Sequence, residues 1–337
     1  MGYREIILTI TRQQRKMLLL ENNIPAVDLL RGSGVPFYLE CDWLYGEHTV
    51  VGIEDNMYAK NEDAIRSEIE KCKIILETFP LSDSIDYDDA VSRVRATQEG
   101  REIEQSELYT RNDIFLRDAS NFYVKNPFLR TAALAAGRHE IDIERYIAND
   151  DMSLISYSFD LLCRAMFRWT DSDIRATYVS FTSHAEAFLA YLKNNNLRAV
   201  WERQFSERKE SVMSALDWSL TRQYSPSDNV DNLLDSFWLI ALNFSEVDKL
   251  PINFEYGFES AYHKSIFQNL AWKESIAEST WFTTYIFGLN LCYHHLRRIG
   301  LTPLQRGLTC FLISKAAQTY TNTSPADIYR SFSVKDF

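Results

Sequence analysis

Short apolar and β-branched runs dominate the N-terminal end of the chain and predict strands. REIILTI at 4–10 is one such run, and PFYLECDWLY and HTVVGIE are two more, joined by a turn at Gly46. Between the first two, Thr11 can cap a helix that runs from Gln13 to about Leu30 and is interrupted at Pro25. Glycines at 32 and 34 end that helix.

A helical period follows over residues 61–79, where Ile65, Ile69 and Cys72 recur on one face. Residues 80–107 carry many charges and few large apolar side chains, which predicts a surface loop with a short helix. ELYTRNDIFLRD then predicts one further strand or strand pair. The N-terminal region therefore predicts a small mixed sheet with covering helices.

From about Asp151 the apolar positions follow a helical period with few interruptions. SLISYSFDLLCRAMFRW, SDIRATYVSFTSHAEAFLAYL and LRAVWERQFSERKESVMSALDWSL each predict one helix. Thr302-Pro303 supplies the cap and first turn of the last long helix. The fold class is thus α+β, with an α+β region at 1–150 followed by a mainly α-helical body at 151–337, the region in which we expect any active-site cleft.

Composition narrows the function classes. With 36 basic and 47 acidic residues the net charge is −11, which argues against a surface for nucleic acid or anionic membrane. The five cysteines are scattered and form no CxxC, so we expect no disulfide framework or zinc ribbon, and a reducing compartment. Neither a signal peptide nor an apolar run of about 18 residues is present, which predicts a cytoplasmic protein.

Cofactor and metal motifs are missing. The chain has no GxxxxGK[ST], GxGxxG, GxSxG or HExxH, so neither nucleotide nor cofactor is expected. His184 and Glu186 reproduce the HxE of zinc deaminases, yet no PCxxC follows. The adjacent His294 and His295 would point about 100° apart on a helix, too divergent to chelate one metal. No metal site is predicted.

The polar stretch LNLCYHHLRRIG, residues 289–300, interrupts an otherwise apolar helix. His294 shares a helical face with Asn290 and Arg297, while His295 turns to the other side. Proton-transfer groups and cations are costly to bury, so one interpretation is a catalytic site. The other is structural, with a histidine satisfied in the core and arginines at the negative end of the helix dipole.

A second polar group lies earlier, where Ser183 and His184 follow Tyr178 within two turns of one helix. They suggest a catalytic serine and histidine. The structural alternative is a helix interior in which the histidine meets Glu186.

The order of parts resembles the C-terminal domain of lanthipeptide dehydratases and its free-standing relatives in thiopeptide biosynthesis. The signature of that family reads roughly His-Met-His-x-Asn-Arg-Leu, then a glycine and a final helix. CYHHLRR at 292–298 matches it, with Gly300 and the helix from Thr302 following. His294 and Arg297 are retained, while cysteine and leucine replace the first histidine and the asparagine. The family's arginine-rich strand corresponds to EHTVVG, which has no arginine, and this disfavours glutamate elimination.

The resemblance implies a pyridine synthase, an enzyme that joins two dehydroalanines of a modified precursor peptide in a formal [4+2] cycloaddition. Water and the leader peptide are then lost, leaving the central six-membered nitrogen heterocycle of a macrocycle. Such an enzyme needs no cofactor and works by proximity and acid–base catalysis. The N-terminal sheet would dock the leader by adding a strand to an edge.

Site residues follow from this resemblance. His294 is the first candidate for proton transfer, with Tyr293, His184 and Ser183 as further catalytic candidates, and Arg297 would stabilise developing negative charge. Substrate-binding candidates are the aromatic and amide side chains Tyr157, Tyr178, Trp201, Tyr285 and Asn290.

Other functions stay open. A glutamate-elimination subunit of a split dehydratase is the closest alternative, and it would need a glutamyl-transferring partner. A non-catalytic helical module that binds a peptide, or another helical small-molecule enzyme, would also fit. The oligomeric state, monomer or homodimer, is undecided by the sequence.

Overall fold

A computed structural model describes the elements of this chain. The described residues are 2–42, 47–79, 112–118, 127–149, 152–170, 173–192, 195–225, 227–245, 260–267, 269 and 279–331. The loop and short helix predicted within 80–107 lie outside them, as does the turn at Gly46.

Four strands are described: β1 (Tyr3–Leu8), β2 (Phe37–Asp42), β3 (His48–Glu54) and β4 (Ile114–Asp118). The first five helices are α1 (Arg12–Leu20), α2 (Val27–Ser33), α3 (Asp55–Lys60), α4 (Glu62–Glu77) and α5 (Pro127–Asn149). Then come α6 (Leu154–Arg168), α7 (Arg175–Leu192), α8 (Asn195–Glu207), α9 (Lys209–Thr221) and α10 (Asn229–Ser245). The last are α11 (Ala261–Phe267), α12 (Thr280–Arg298), α13 (Pro303–Thr321) and α14 (Pro325–Ser331).

Two compact units make up the chain. The α+β unit comprises Met1–Met152 and His294–Gly300, and the helical unit comprises Ser153–Tyr293 and Leu301–Phe337. The division falls inside α12, between Tyr293 and His294. The predicted fold class, a small N-terminal sheet followed by a mainly helical body, is confirmed.

The sheet has strand order β2-β3-β1-β4, and its three described pairings are all antiparallel, where a mixed sheet was predicted. One row across it joins Tyr38, Gly52, Glu5 and Arg117 in register. The Tyr38 ring lies over Gly52, where a Cβ would fall 1.9 Å from it, and the Tyr38 hydroxyl donates to Glu5 at 2.6 Å. Arg117 donates to the other Glu5 oxygen at 2.7 Å. A glycine in the third strand therefore permits a buried polar row on this face.

The other face of the sheet holds the apolar core of the α+β unit. Ile6, Leu39 and Val51 point to this face and are 0–1% exposed. Ile65 and Ile69 of α4 pack into the same cluster, as the helical period predicted. Burying such side chains contributes about 1.5–3 kcal/mol each, which holds α4 on the sheet.

The interruption predicted at Pro25 is a complete break between α1 and α2. Thr11 and Gln14 form a reciprocal capping box at the start of α1, confirming the predicted cap. The second helix ends at Gly34, whose φ of 74° is the left-handed conformation that glycine adopts without strain.

Helix α5 is the main element that sequence analysis did not predict. It packs closely against β2, because a Cβ on Gly137 would lie 2.2 Å from the carbonyl oxygen of Phe37. Arg15 of α1 binds both carboxylate oxygens of Glu144 on α5, at 2.9 and 2.5 Å, and also donates to Thr49 at 3.1 Å. These buried contacts join α1, α5 and β3.

In the helical unit the three predicted N-terminal helices are present as four. The third prediction is divided into α8 and α9 by a break at Arg208. Thr302 caps α13 as predicted, with Pro303 in its first turn. Among the described residues, no helix is both long and apolar enough to cross a membrane.

Candidate functional site

The polar stretch at the end of α12 falls into two different environments. His295 and Arg298, in the α+β unit, both bind Glu140 of α5. The Glu140 Oε1 atom lies 2.8 Å from His295 Nδ1 and 2.9 Å from Arg298 Nε, and all three side chains are 0–1% exposed. Burial alone would raise the pKa of Glu140, but the charges and hydrogen bonds of Arg298 and His295 outweigh it and lower that pKa.

Arg297 belongs to a second buried ion pair of the same unit. Its Nη1 lies 2.6 Å from Glu40 Oε1, and both side chains are 5% exposed. Gly300 follows with a φ of 96°, and Arg12 donates to its carbonyl. The assignment of Arg297 as a substrate-facing cation stays a prediction, and the structure places the side chain against a sheet carboxylate.

His294 is partly exposed near the end of α12, in the α+β unit, and Asn290 is exposed on the same helix in the helical unit. The catalytic role of His294 and the substrate-binding role of Asn290 stay predictions.

Two of the predicted catalytic residues meet in the helical unit. The ring of Tyr293, on α12, stacks on that of His184, on α7, with centroids 4.6 Å apart and planes 30° apart. Tyr293 is 6% exposed and its hydroxyl lies 3.5 Å from the Cys310 sulfur on α13. His184 is partly exposed. An imidazole and a phenol from two helices are thus held in direct contact.

Arg306 completes this cluster, and sequence analysis missed it. Its guanidinium carbon lies 5.4 Å from the centre of the Tyr293 ring. The Arg306 Nε atom is buried and has no hydrogen-bond partner among the described residues. The available signal was its place four residues after the cap Thr302, because a cation so near a helix N-terminus opposes the helix dipole.

These surroundings make the cluster a neutral acid–base pair beside a cation. Burial, together with the positive charge of Arg306, lowers the pKa of His184 well below its ordinary value of 6.5. Burial also raises the pKa of Tyr293 well above 10.0. At neutral pH the imidazole is therefore uncharged and able to accept a proton, and the phenol retains a proton to donate.

Ser183, the residue before His184, has a different partner. Its hydroxyl lies 2.8 Å from Nε2 of His263, and Nδ1 of His263 lies 2.6 Å from the hydroxyl of Ser260 at the start of α11. The contact between Ser183 and His263 was not predicted from the sequence. The two residues are 80 positions apart, so no local pattern could reveal the pairing.

The predicted substrate-binding aromatics lie inside the helical unit, each 0–2% exposed. The Tyr178 hydroxyl donates to the Thr323 carbonyl at 2.8 Å, and the Tyr285 hydroxyl to the Thr177 carbonyl at 3.4 Å. Side chains with these properties hold the helices together in this conformation. Their role in binding substrate stays a prediction, and the residues concerned are Tyr157, Tyr178, Trp201 and Tyr285.

Glu186, two residues after His184, forms a bidentate ion pair with Arg198, its nearer oxygen accepting at 2.5 Å. In the part of the chain that the structure describes, no group of three or more His, Cys, Asp or Glu side chains is placed to hold a metal ion.

Comparison with known proteins places the fold. No protein-family model matches the chain, and no curated protein sequence matches it. Several solved structures match this chain, among them two that cover nearly all of it. A pyridine synthase, TbtD, from thiomuracin biosynthesis has a TM-score of 0.72 and 19% identity, covering 96% of this chain and 100% of its own. TsrL has a TM-score of 0.66 and 13% identity, with 98% of each chain covered.

This chain therefore has the fold shared by TbtD and TsrL, as the resemblance implied. At these identities the likeness extends to the fold, and the activity has to be argued from the site.

Proposed function

We propose that this protein is an enzyme of thiopeptide biosynthesis, a pyridine synthase-like cyclase. It would form the central six-membered nitrogen heterocycle by a formal [4+2] cycloaddition of two dehydroalanines, with loss of water and leader peptide. The observation that carries the proposal is the cluster of His184, Tyr293 and Arg306, set in a fold shared with a pyridine synthase.

In the first step a backbone amide of the substrate peptide is converted to its imidic-acid tautomer. His184, neutral because its pKa is lowered, accepts the amide N–H proton, while Tyr293 donates its hydroxyl proton to the amide oxygen. Transfer of a proton from the imidazolium back to the phenolate restores both groups. Arg306, whose Nε has no other described partner, stabilises the charge that develops on the oxygen.

The cycloaddition itself forms two carbon–carbon bonds, because the azadiene made from the imidic acid ends in carbon at both termini, and it needs no external reagent. Aromatisation follows by two eliminations, in which hydroxide leaves with a proton from Tyr293 as water and the leader leaves as an amide. Each elimination removes one proton from the ring. His184 would accept it and pass it on, to the Tyr293 phenolate in the loss of water and to the nitrogen of the departing leader amide in the second elimination. No oxidant is required, because both steps are eliminations. Holding the two alkenes together supplies much of the rate.

The partner is a modified precursor peptide with its leader. The described sheet ends in β2 on one side, where α5 packs against the Phe37 carbonyl, and in β4 on the other. An extended leader that paired with β4 would lengthen the sheet by one strand, a common mode of peptide recognition. This part of the proposal rests on sheet order alone.

The test is turnover of a synthetic peptide that carries a leader and two dehydroalanines, followed by mass spectrometry. The expected products are a macrocycle and a released leader amide. His184→Gln and Tyr293→Phe should each slow product formation by roughly 100-fold, since acid–base groups typically contribute that much or more. Tyr191→Phe, at an exposed tyrosine on α7, is the matched control and should leave the rate unchanged.

Two results would overturn the proposal. One is a wild-type protein that binds the peptide but forms no macrocycle, as a binding module would. The other is formation of dehydroalanine from a glutamylated serine peptide, which is the reaction of a split dehydratase.

A further inference from the structure

His263 is held by hydroxyl groups at both ring nitrogens. Nε2 faces Ser183 at 2.8 Å and Nδ1 faces Ser260 at 2.6 Å, and the imidazole itself is 2% exposed. The backbone N–H of His263 also donates to the Ser260 hydroxyl at 3.2 Å, which fixes that oxygen at the start of α11. Ser183, at the other end, is partly exposed on α7 directly before His184.

The nature of the two partners decides what this arrangement can do. A buried structural histidine is usually fixed in one tautomer by a carbonyl or a carboxylate, which can only accept. A serine hydroxyl can donate or accept, so two serines satisfy either tautomer of the ring. The chain Ser183–His263–Ser260 therefore has two hydrogen-bonded states that differ only in where the protons lie.

The Ser183 hydroxyl is available to a ligand as an acceptor in one state and as a donor in the other. When Nδ1 carries the proton and donates to Ser260, Nε2 accepts from Ser183, and the lone pairs of the Ser183 oxygen remain for an incoming N–H. When Ser260 donates to Nδ1, Nε2 donates to Ser183, whose own O–H then points elsewhere and can donate to a carbonyl oxygen. Both states are neutral, because burial lowers the pKa of His263 to about 4, against the opposing effect of Glu186.

We infer that Ser183 binds a backbone amide of the peptide substrate, and that His263 and Ser260 are positioning residues that switch its hydroxyl between acceptor and donor. The inference rests on the proposed function and adds to it a contact with the amide whose tautomer must change. In one state Ser183 accepts from the amide N–H, and in the other it donates to the oxygen of the imidic acid.

A double-mutant cycle tests the link between Ser183 and His263. Ser183→Ala and His263→Phe are each expected to lower kcat roughly 10- to 100-fold, while KM changes less than about threefold. The double variant should fall no further than either single variant, because residues that act as a unit are not additive. His263→Gln keeps a polar group near Ser183, so its kcat should lie between those of His263→Phe and the wild type.

Thr182 and Ser314 supply the matched control. Their hydroxyls lie 2.6 Å apart and are buried, one residue earlier on the same helix, without a histidine. Thr182→Val should lower the thermal unfolding temperature and leave kcat unchanged. If His263→Phe behaved like this control, with lost stability and unchanged kcat, the inference would be overturned.

Nuclear magnetic resonance of the full-length protein with ¹⁵N-labelled histidine separates this inference from the proposed function. The two ring nitrogens of His263 should show shifts intermediate between the two tautomers at pH 7, and Ser260→Ala should move them toward one tautomer. A wild-type ring already fixed in a single tautomer would overturn the switch. An absence of cyclisation with intact tautomer exchange would instead count against the proposed function.

Discussion

The two parts of the stretch 292–298 show how one run of polar residues can serve two purposes. On the C-terminal side, His295 and Arg298 share Glu140, and Arg297 pairs with Glu40, all buried within the α+β unit. On the N-terminal side, Tyr293 meets a histidine ring, a thiol and a guanidinium within the helical unit. No carboxylate is among these three contacts of Tyr293.

The difference lies in how charge is balanced. Opposite charges in direct contact hold elements together, and removing one partner from a buried pair is strongly destabilising. A neutral acid and base form no such ion pair, and at neutral pH each keeps the protonation state that its proposed role needs, the imidazole uncharged and the phenol protonated. The comparison therefore places the arginines of the stretch in buried ion pairs, and under the proposed function the tyrosine is the residue that transfers a proton.

The largest expected effect is on stability, from Glu140→Gln. This change leaves the Arg298 guanidinium and His295 buried without their carboxylate and should cost about 3–5 kcal/mol of unfolding free energy. Urea denaturation monitored by circular dichroism measures it. The control Glu62→Gln removes an exposed pair with Arg66 on α4 and should cost less than about 0.5 kcal/mol.

The same variant has a defined pH dependence. Because the folded pKa of Glu140 lies below its ordinary value of 4.5, its stabilisation is complete above that value and is lost as the pH falls through the folded pKa. The stability gap between wild type and Glu140→Gln should therefore be widest near neutral pH and narrow in acid. A gap that stays constant down to acidic pH would contradict the ion-pair account.

Separate replacement of Arg306 and Arg297 by glutamine tests most directly whether the two arginines have different roles. Arg306→Gln should lower kcat by roughly 100-fold, as loss of a group that stabilises developing charge does, with little change in unfolding temperature. Arg297→Gln should instead destabilise the protein by about 3–5 kcal/mol, because Glu40 is buried with it. If Arg297→Gln instead lowered kcat and Arg306→Gln instead lowered the unfolding temperature, the catalytic cation would be Arg297.

The pH profile of kcat should report the neutral state of His184. The imidazole acts as a base, and its pKa lies well below 6.5, so the rate should persist below pH 6.5 and fall only in stronger acid. Arg306→Gln removes one of the two causes of that low pKa, so the acidic limb should move to higher pH. If the acidic limb of the pH profile stayed at the same pH in Arg306→Gln, Arg306 would have no effect on the pKa of His184.

The smallest expected effect comes from Cys310→Ser. The Tyr293 hydroxyl lies 3.5 Å from this sulfur, a weak contact, and a serine hydroxyl keeps a polar partner in nearly the same place. We expect kcat within about threefold of wild type and a stability loss on the order of 1 kcal/mol from the smaller side chain. A much larger loss of activity would give the thiol a role in proton transfer.

Much of the fold was predictable because its signals are local. The capping boxes at Thr11 and Thr302 and the apolar face of α4 are set by neighbouring residues, and each was found in place. Helix α5 escaped prediction, since charges such as Glu140 and Glu144 interrupt its apolar period. Both carboxylates are balanced by arginines from distant parts of the chain, at 15 and 298, which no window of sequence contains.

Some residues of the candidate site were predicted from the sequence, and others were not. His184 and Tyr293 were both named from sequence, and the structure stacks their rings. Arg306 and His263 were missed, because each joins the cluster or its neighbour through contacts between separate helices. The roles assigned to His294 and Arg297, the residues retained from the family signature, stay predictions.

By itself, the sequence determined the helix caps at Thr11 and Thr302, the apolar face of α4, the α+β order of the chain and the residue types present on α12. Periodicity and capping are properties of residues three or four positions apart, so they can be read from the chain. Only the tertiary structure decided which polar groups form buried ion pairs and which pack against an aromatic ring of another helix. That distinction depends on burial and on partners more than 100 residues away, as for His295 with Glu140 and Tyr293 with His184.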